Sequence, residues 1–355
     1  MDDVYRQLRK KLDMYPIGFP ESDEAYAILQ VLFTPEEAEF ALKLPMMDMK
    51  LDDIAASLGE GPDEVRKRLD AMADRGTVFV AVRDDIRYYR LLPSVVGFSE
   101  TPFWPGKETD KTQKLAPLWR RYFFDKFGRE IGDRAQSIMR IIPLNETISN
   151  EAQVTPYDDL TRLLERNEYF AVAHCPCRLY MKGTGQECDH SLEVCLHFDD
   201  EGRYMVEHGM AREITREETL QLLKKCNEEG LVHSTYNMKG KVYTICNCCS
   251  CCCVFFKAMK ELKLPGAFAR SNYVSYIDPD LCSACEVCAD RCPVEAITVD
   301  EYAVVDEERC VGCGVCVPAC PTEAIVLIGR PEEAMVELPD RKTWVVDLLK
   351  EKGVL

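Results

Sequence analysis

Between Cys282 and Pro321 the chain writes one cysteine frame twice. The first copy reads Cys282-Ser-Ala-Cys285-Glu-Val-Cys288-Ala-Asp-Arg-Cys292-Pro293, the second Cys310-Val-Gly-Cys313-Gly-Val-Cys316-Val-Pro-Ala-Cys320-Pro321. Each cysteine of the first copy has its counterpart 28 positions later, and Pro293, Glu295, Ala296 and Ile297 return as Pro321, Glu323, Ala324 and Ile325. Self-similarity at a fixed offset constrains the fold before any residue-level reading does. Three cysteines with two residues between neighbours lie on a tight loop and cap three iron corners of one cubane. A fourth, followed by Pro, points to the other cluster. Proline there sets the turn and gives up no donor the following helix needs. The spacing therefore predicts a crossed assignment: Cys282, Cys285, Cys288 and Cys320 for one 4Fe-4S cluster, and Cys310, Cys313, Cys316 and Cys292 for the second. Zinc is the alternative for any C-x2-C pair, but zinc needs neither three evenly stepped cysteines nor the trailing Cys-Pro.

On these motifs residues 273–329 resemble the bacterial two-cluster ferredoxins, and the match to their ligand pattern is complete. The resemblance implies a small pseudo-twofold fold of two hairpins and two short helices, with low-potential one-electron transfer.

A chain of 355 residues is too long for that unit alone and predicts two or three domains. Nineteen cysteines are extreme unless most are ligands. The opening Met1-Asp-Asp-Val-Tyr-Arg-Gln has no apolar run after it, so no signal peptide is expected. No stretch of about 18 apolar residues occurs, so no membrane span is expected either. Reducing cytoplasm, metal clusters and no disulfides form the consistent expectation, and the ligand density points to an anaerobic setting. The net charge of −17 argues against non-specific attraction to nucleic acid or anionic lipid and favours docking on a basic partner surface.

The overall expectation is an α+β chain with an N-terminal winged-helix-like domain (1–95), a helical connector (96–155) and a cysteine-rich α+β middle domain (156–270). A two-cluster ferredoxin-like domain (271–330) and a helical tail (331–355) follow. Thr34-Pro35-Glu36-Glu37 starts a helix, with Thr34 as cap and Glu37 reaching back. A short helix after Leu51 is followed by a second from Asp63 to Arg75, with Val65, Leu69 and Met72 on one face and Gly76 as stop. Strands Thr77–Arg83 and Ile86–Leu92 around Asp84-Asp85 form the wing. DNA binding through Arg66, Lys67 and Arg68 is one reading of that unit, and docking or dimerisation is the other. Residues 1–95 hold 13 Lys and Arg against 19 Asp and Glu, a net of −6, whereas phosphate contacts want a basic footprint. Docking is favoured.

In the connector, Lys114 to Met139 reads as a helical stretch whose Trp119, Tyr122, Phe123 and Phe124 are core or subunit contact rather than a cofactor box. Pro143 and the polar run 145–150 mark the edge of a unit. Residues 158–166 resume a helix, and strand Tyr169–His174 ends in Cys175-Pro-Cys177-Arg178. Cys188 and Cys195 follow, in Glu187-Cys188-Asp189-His190 and Val194-Cys195-Leu196-His197. A helix capped by Thr215 and Glu218 carries Cys226 in its last turn. A hairpin around Asn237–Gly240 delivers strand Lys241–Ile245 into Cys246-Asn-Cys248-Cys249-Ser-Cys251-Cys252-Cys253, and helix Val254–Leu262 comes next. Both cysteine groups end an apolar strand, so pairing of those strands would bring them together. Cys175, Cys177, Cys188 and Cys195 suffice for one cubane. Cys246, Cys248, Cys249, Cys251, Cys252 and Cys253 are too crowded for one, because neighbours on extended chain point opposite ways. One or two further 4Fe-4S clusters shared between the groups are expected, with a noncubane cluster or, through His174, His190 and His197, zinc as alternatives. Cys226 reads as a small buried apolar residue. His208 and His233 read as lying in polar loops, structural or solvated, and His174 as a candidate to tune a cluster through a hydrogen bond to sulfur.

Asp340 to Gly353 fits an amphipathic helix with Trp344, Val345, Leu348 and Leu349 on one face, packing on the ferredoxin part or on a partner. The arrangement of a winged-helix start, Cys-Pro-Cys-Arg, the 246–253 segment and the duplicated end is similar to a family of 4Fe-4S binding proteins of anaerobic bacteria. Its members are electron-transfer or uncharacterised oxidoreductase components. No phosphate-cradling loop, dinucleotide fingerprint or Ser/His/Asp signature is present. The first reading is an electron-transfer subunit serving a partner oxidoreductase or redox protein, with a homo-oligomer as the other association. The rivals are a redox-responsive winged-helix regulator and a reductase working at a middle-domain cluster.

Overall fold

The computed structural model describes residues 2–149, 157–186 and 188–355. Asn150, Glu187 and the expected boundary at residues 155 and 156 lie outside the described residues. The chain is a mixed α+β protein in which helices lead, a mixed sheet follows and two small two-stranded sheets come last.

Helices α1 (Asp2–Leu12), α2 (Asp23–Leu32) and α3 (Pro35–Lys43) open the chain, followed by β1 (Met49–Lys50), α4 (Leu51–Leu58), α5 (Pro62–Asp74), β2 (Val78–Arg83) and β3 (Ile86–Leu91). The start of α3 is a reciprocal capping box: Glu37 N donates to Thr34 Oγ1 at 3.2 Å and Thr34 N to Glu37 Oε2 at 2.9 Å. Helix α5 buries Val65, Leu69, Met72 and Ala73. Asp84 and Asp85 both take positive φ, the two-residue turn that suits the right-handed twist of β2 and β3. With β1 these strands form a sheet of order β1-β3-β2.

Helix α6 (Asp110–Tyr122) continues through a wide turn at Phe123–Phe127 into α7 (Gly128–Gly132). The expected helix 114–139 is thus shifted towards the N-terminus, and Met139 belongs to strand β4 (Met139–Ile141). A second capping box, between Thr109 and Thr112, sets the start. Gly132 sits where Leu264 crosses, since a Cβ there would meet Leu264 Cβ at 2.6 Å, and Ile138, Ile141 and Ile142 farther on favour a strand. Trp119 and Tyr122 are fully buried, and Trp119 stacks on Phe123 at 5.2 Å. Phe124 is half-buried and has Lys257 over its ring.

Next come α8 (Leu160–Leu164), β5 (Phe170–His174), α9 (Pro176–Lys182), β6 (Glu193–Phe198), α10 (Asp199–Glu207), β7 (Arg212–Ile214), α11 (Arg216–Glu228), β8 (Val232–Tyr236), β9 (Thr244–Cys248), α12 (Val254–Lys260) and β10 (Phe268–Ala269). Among the described residues they build a seven-stranded sheet of order β10-β4-β8-β9-β6-β5-β7, antiparallel except for the β10–β4 pair. Two expectations change here. The strands that end in cysteine, β5 and β9, do not pair with each other, because β6 lies between them and pairs with both. Strand β9 begins three residues later than expected, so Cys246 and Cys248 are inside it.

The end of the chain comprises β11 (Tyr273–Ile277), α13 (Val287–Arg291), β12 (Ile297–Val299), β13 (Ala303–Val305) and β14 (Ile325–Gly329), paired as β11–β14 and β12–β13. Helix α14 (Arg341–Glu351) then packs against the sheet and the N-terminal helices rather than the ferredoxin-like region. Trp344 meets Tyr236 at 5.5 Å, and Lys352 Nζ binds Asp13 Oδ1 at 3.0 Å. Among the described residues no helix is long and apolar enough to cross a membrane.

Candidate metal centres

The cysteine frame 282–321 folds as two related loops. Left-handed backbone recurs at the same offset as the cysteines: Ala284 and Glu286 in the first loop, Gly312 and Gly314 in the second, then Glu295 and Glu323. Such turns aim backbone N–H groups inward at an anionic site. Ala296 N donates to Cys292 Sγ at 3.2 Å, Ala324 N to Cys320 Sγ at 3.3 Å and Ala303 N to Cys282 Sγ at 3.4 Å. One cavity is lined by Cys282, Cys285, Cys288 and Cys320 between Ile277, Ala303 and Ile325. Cys292 instead lies with Cys310, Cys313 and Cys316; burial, with repulsion from the neighbouring thiolates added, pushes the Cys313 thiol up. Ser275 was not singled out from sequence, yet its Oγ sits 3.3 Å from Cys316 Sγ and 4.0 Å from Cys310 Sγ. A hydroxyl at that point carries no sequence signal of its own.

Gly312 is a position where only glycine fits. Its φ is +67°, and a Cβ would stand 2.1 Å from Tyr273 O. Gly312→Ala is expected to add left-handed strain of about 1–3 kcal/mol on top of that clash. The prediction is a fall in iron content confined to half of the C-terminal complement, measured per chain.

The middle cysteines divide. Cys246 and Cys248 point to one side of β9, as a period of two requires. Leu196 pairs with Ile245, so Cys195 on β6 falls opposite Cys246, with which it is in contact. Cys248 in turn meets Cys253, and Cys177 faces both. These five, with Cys175 and Cys249 at the edge, line an enclosed cavity of about 70 Å³. That is several times what one water needs, roughly 10–15 Å³. Contacts with neighbouring thiols and burial push Cys177, Cys246 and Cys248 up, and burial does the same to Cys253. The hydrogen bond from Cys177 lowers Cys175 to about 7, with Arg178 adding to it. Beyond the strand end, Cys249, Cys251 and Cys252 turn away and gather with Cys188. Cys226 is fully buried among Met181, Val194 and Leu231, where burial raises its thiol to about 12.

The histidines are placed differently from expectation. His174 Nδ1 lies 3.1 Å from Trp104 O, not on sulfur. His197 has the sulfur contact instead, with Nε2 3.3 Å from Cys195 Sγ. His233 is not in a polar loop: it is buried on β8, 2.6 Å from Asn247 Oδ1. His208 pairs with Asp74 at 2.7 Å. Arg178 is buried, its Nη1 donating to Ser191 O at 2.8 Å and its Nη2 to Asn247 O at 2.9 Å. Its place beside two cysteines in Cys-Pro-Cys-Arg was the available signal.

Residues 275–298 and 303–326 match the family model described as a 4Fe-4S binding domain, one match for each copy of the frame. The C-terminal region is of the ferredoxin type and binds 4Fe-4S clusters. The rest of the chain lies outside those two matches, and comparison with curated proteins and with solved structures found no match. The ferredoxin-type region and the cysteine content give the chain an iron–sulfur electron-transfer role.

Proposed function

We propose that this is an electron-transfer subunit for a partner oxidoreductase of an anaerobic cytoplasm, with a third iron–sulfur site in its middle domain. Cys282, Cys285, Cys288 and Cys320 hold one 4Fe-4S cluster, and Cys310, Cys313, Cys316 and Cys292 the other. Cys177, Cys195, Cys246, Cys248 and Cys253 supply the ligands of a third. Bound clusters supply one-electron reduction and reoxidation; the chain's own part is to space the thiol sets and exclude water. The observation that carries this reading is one continuous buried core. It includes Cys248 and Cys253 together with Phe256, Phe268, Val294, Cys310 and Cys313. Lys260, on the helix after Cys253, pairs with Glu295 at 2.8 Å, and Arg291 Nη2 donates to Asn227 O at 2.7 Å, so the ferredoxin-type region is fastened to the middle domain.

The outer loop offers the contact surface. Cys285 is exposed, and Leu281, Val287, Tyr302 and Val304 around that end are exposed as well. Residues 271–330 hold eleven Asp and Glu against three Arg, a net of −8. A partner with an apolar centre and a basic rim fits, and its association slows as salt rises.

The order α3-β1-α4-α5-β2-β3 is that of a winged helix, used here for docking. Arg66 and Arg87 pair with Asp70 at 3.4 and 3.6 Å, and Arg68 pairs with Glu60 at 2.5 Å while lying over Phe40. Tyr204 OH, from α10, donates to Ala73 O and Val78 O at 3.1 and 3.0 Å, holding the end of α5 against the middle domain. With Arg66 and Arg68 already paired and the helix already packed, the unit suits a docking module better than a duplex reader.

Glu100 favours a second reading. It lines the inner cavity, and burial pushes its carboxyl up to about 7, so a proton is at hand beside the thiols. Reduction of a small substrate in that cavity is the alternative. Glu100→Gln separates the two: electron delivery to a partner is unchanged under the first reading, and substrate turnover is lost under the second.

Iron and acid-labile sulfide on anaerobically purified protein test the main reading, with about twelve irons per chain expected. Cys248→Ala is expected to lower that to about eight while the ferredoxin-type spectrum persists. Full iron retention by Cys248→Ala would refute the middle-domain cluster.

A further inference from the structure

Cys188, Cys251 and Cys252 stand apart from the thiols that line the inner cavity, and Cys249, at the edge of that cavity, groups with them. All four sulfurs lie within 4.8 Å of one another, with Cys188 Sγ to Cys252 Sγ at 3.5 Å and Cys251 Sγ to Cys252 Sγ at 3.7 Å. A metal bonded to four thiolates at about 2.3 Å in a tetrahedron sets its sulfurs about 3.8 Å apart. In a cubane each thiolate extends outward from a different iron corner, which holds the sulfurs much farther from one another. The molecule contains its own comparison. Among the described residues no other group of three or more Cys, His, Asp or Glu is this compact, and neither ferredoxin-type thiol set qualifies.

We infer that Cys188, Cys249, Cys251 and Cys252 form a separate site for a single tetrahedral, borderline-soft metal ion, Zn2+ or iron, rather than contributing to a 4Fe-4S cluster. Four thiolates around a divalent ion leave two negative charges, and the buried Arg178 guanidinium, which lies beside Cys175, also faces Cys249 and Cys188 and offsets part of them. The frame is braced from three sides. Arg178 is tied to Ser191 O and Asn247 O. Ser191 Oγ donates to Glu229 Oε1 at 2.6 Å, and Cys175 N donates to Leu192 O at 2.7 Å, so the loop carrying Cys188 is pinned to α11 and to the end of β5. As the metal–sulfur bonds form, the S–H protons leave to solvent, and no electron changes hands. The site staples residue 188 to residues 249–252, closing a long loop beside the inner cavity.

The test is metal and sulfide analysis of the full chain, purified anaerobically, for wild type and Cys188→Ser/Cys252→Ser. The expected result is loss of one equivalent of zinc, or of one iron, with acid-labile sulfide and all other iron unchanged. Loss of zinc makes the site structural; loss of one iron without sulfide makes it a one-electron centre. Loss of three or four irons with matching sulfide overturns the inference, and so does an unchanged metal content. Should the double variant fail to fold, wild type grown with Co2+ decides. One cobalt per chain with tetrahedral thiolate d–d bands supports the site, and absence of those bands overturns it. The middle-domain cluster is read separately, by Cys248→Ala and sulfide, so either assignment can fail alone.

Discussion

Stripping iron from the reduced chain is expected to melt residues 281–305 while helices α1 to α5 stay folded. The reason is the size of the local core. Around the first thiol set the buried residues are Ile277, Cys288, Ile297, Ala303, Cys316, Ala324 and Ile325, two of them cysteines. Strands β12 and β13 pair over three residues each and leave Tyr302 and Val304 exposed. A two-stranded hairpin of this kind is marginal in water, and metal held by thiolates contributes about 10–16 kcal/mol to folding in zinc-finger peptides. The second loop has other support, since Cys310, Val311, Cys313 and Val315 belong to the main core and Arg330 Nη2 donates to Cys310 O at 2.6 Å. Hydrogen exchange after anaerobic chelation should therefore show full loss of protection in β12 and β13 and partial loss in β11 and β14. Unchanged protection in β12 and β13 would show that apolar packing alone holds this loop.

Asp158→Ala is expected to cost about 3–5 kcal/mol, the range for removing one partner of a buried ion pair. Arg140 and Asp158 meet at 3.0 Å with side chains only 5% and 3% exposed. Arg140 Nη2 also donates to Tyr157 O at 2.5 Å, and Asn272 Nδ2 donates to Asp158 Oδ2 at 3.0 Å. The pair thus joins strand β4 to the residue that leads into β11. Without Asp158 the guanidinium is left buried and unpaired, and burial already disfavours its charge. The readout is the urea midpoint at constant slope. Asp158→Ala/Arg140→Met should recover most of the loss, because the stranded charge is gone. A single-variant loss under about 1 kcal/mol would mean that water reaches the pair.

Local structure was legible wherever a short-range rule decides it. The capping boxes at Thr34 and Thr215, the left-handed Gly76 and the Asp84-Asp85 turn each depend on residues within three or four positions. The helix expected over 114–139 was misplaced because what stops it is contact at long range: Leu264 packs on Gly132, and Met139 is drawn into the sheet by Tyr236. The C-terminal helix was legible as amphipathic, but the partner of its apolar face was not. Trp344 goes to Tyr236 and Lys352 to Asp13, more than a hundred and more than three hundred residues away.

By itself the sequence determined that the chain ends in a ferredoxin-type 4Fe-4S binding region. The frame repeats within 40 residues, and its spacing is that of a ferredoxin-type 4Fe-4S binding region. Only the tertiary structure decided how the middle cysteines divide. Cys175 to Cys253 spans several strands, and sheet order β9-β6-β5 sets Cys195 beside Cys246, while the end of β9 turns Cys249, Cys251 and Cys252 towards Cys188. Strand order is chosen by burial of whole faces, a property no local spacing of cysteines records.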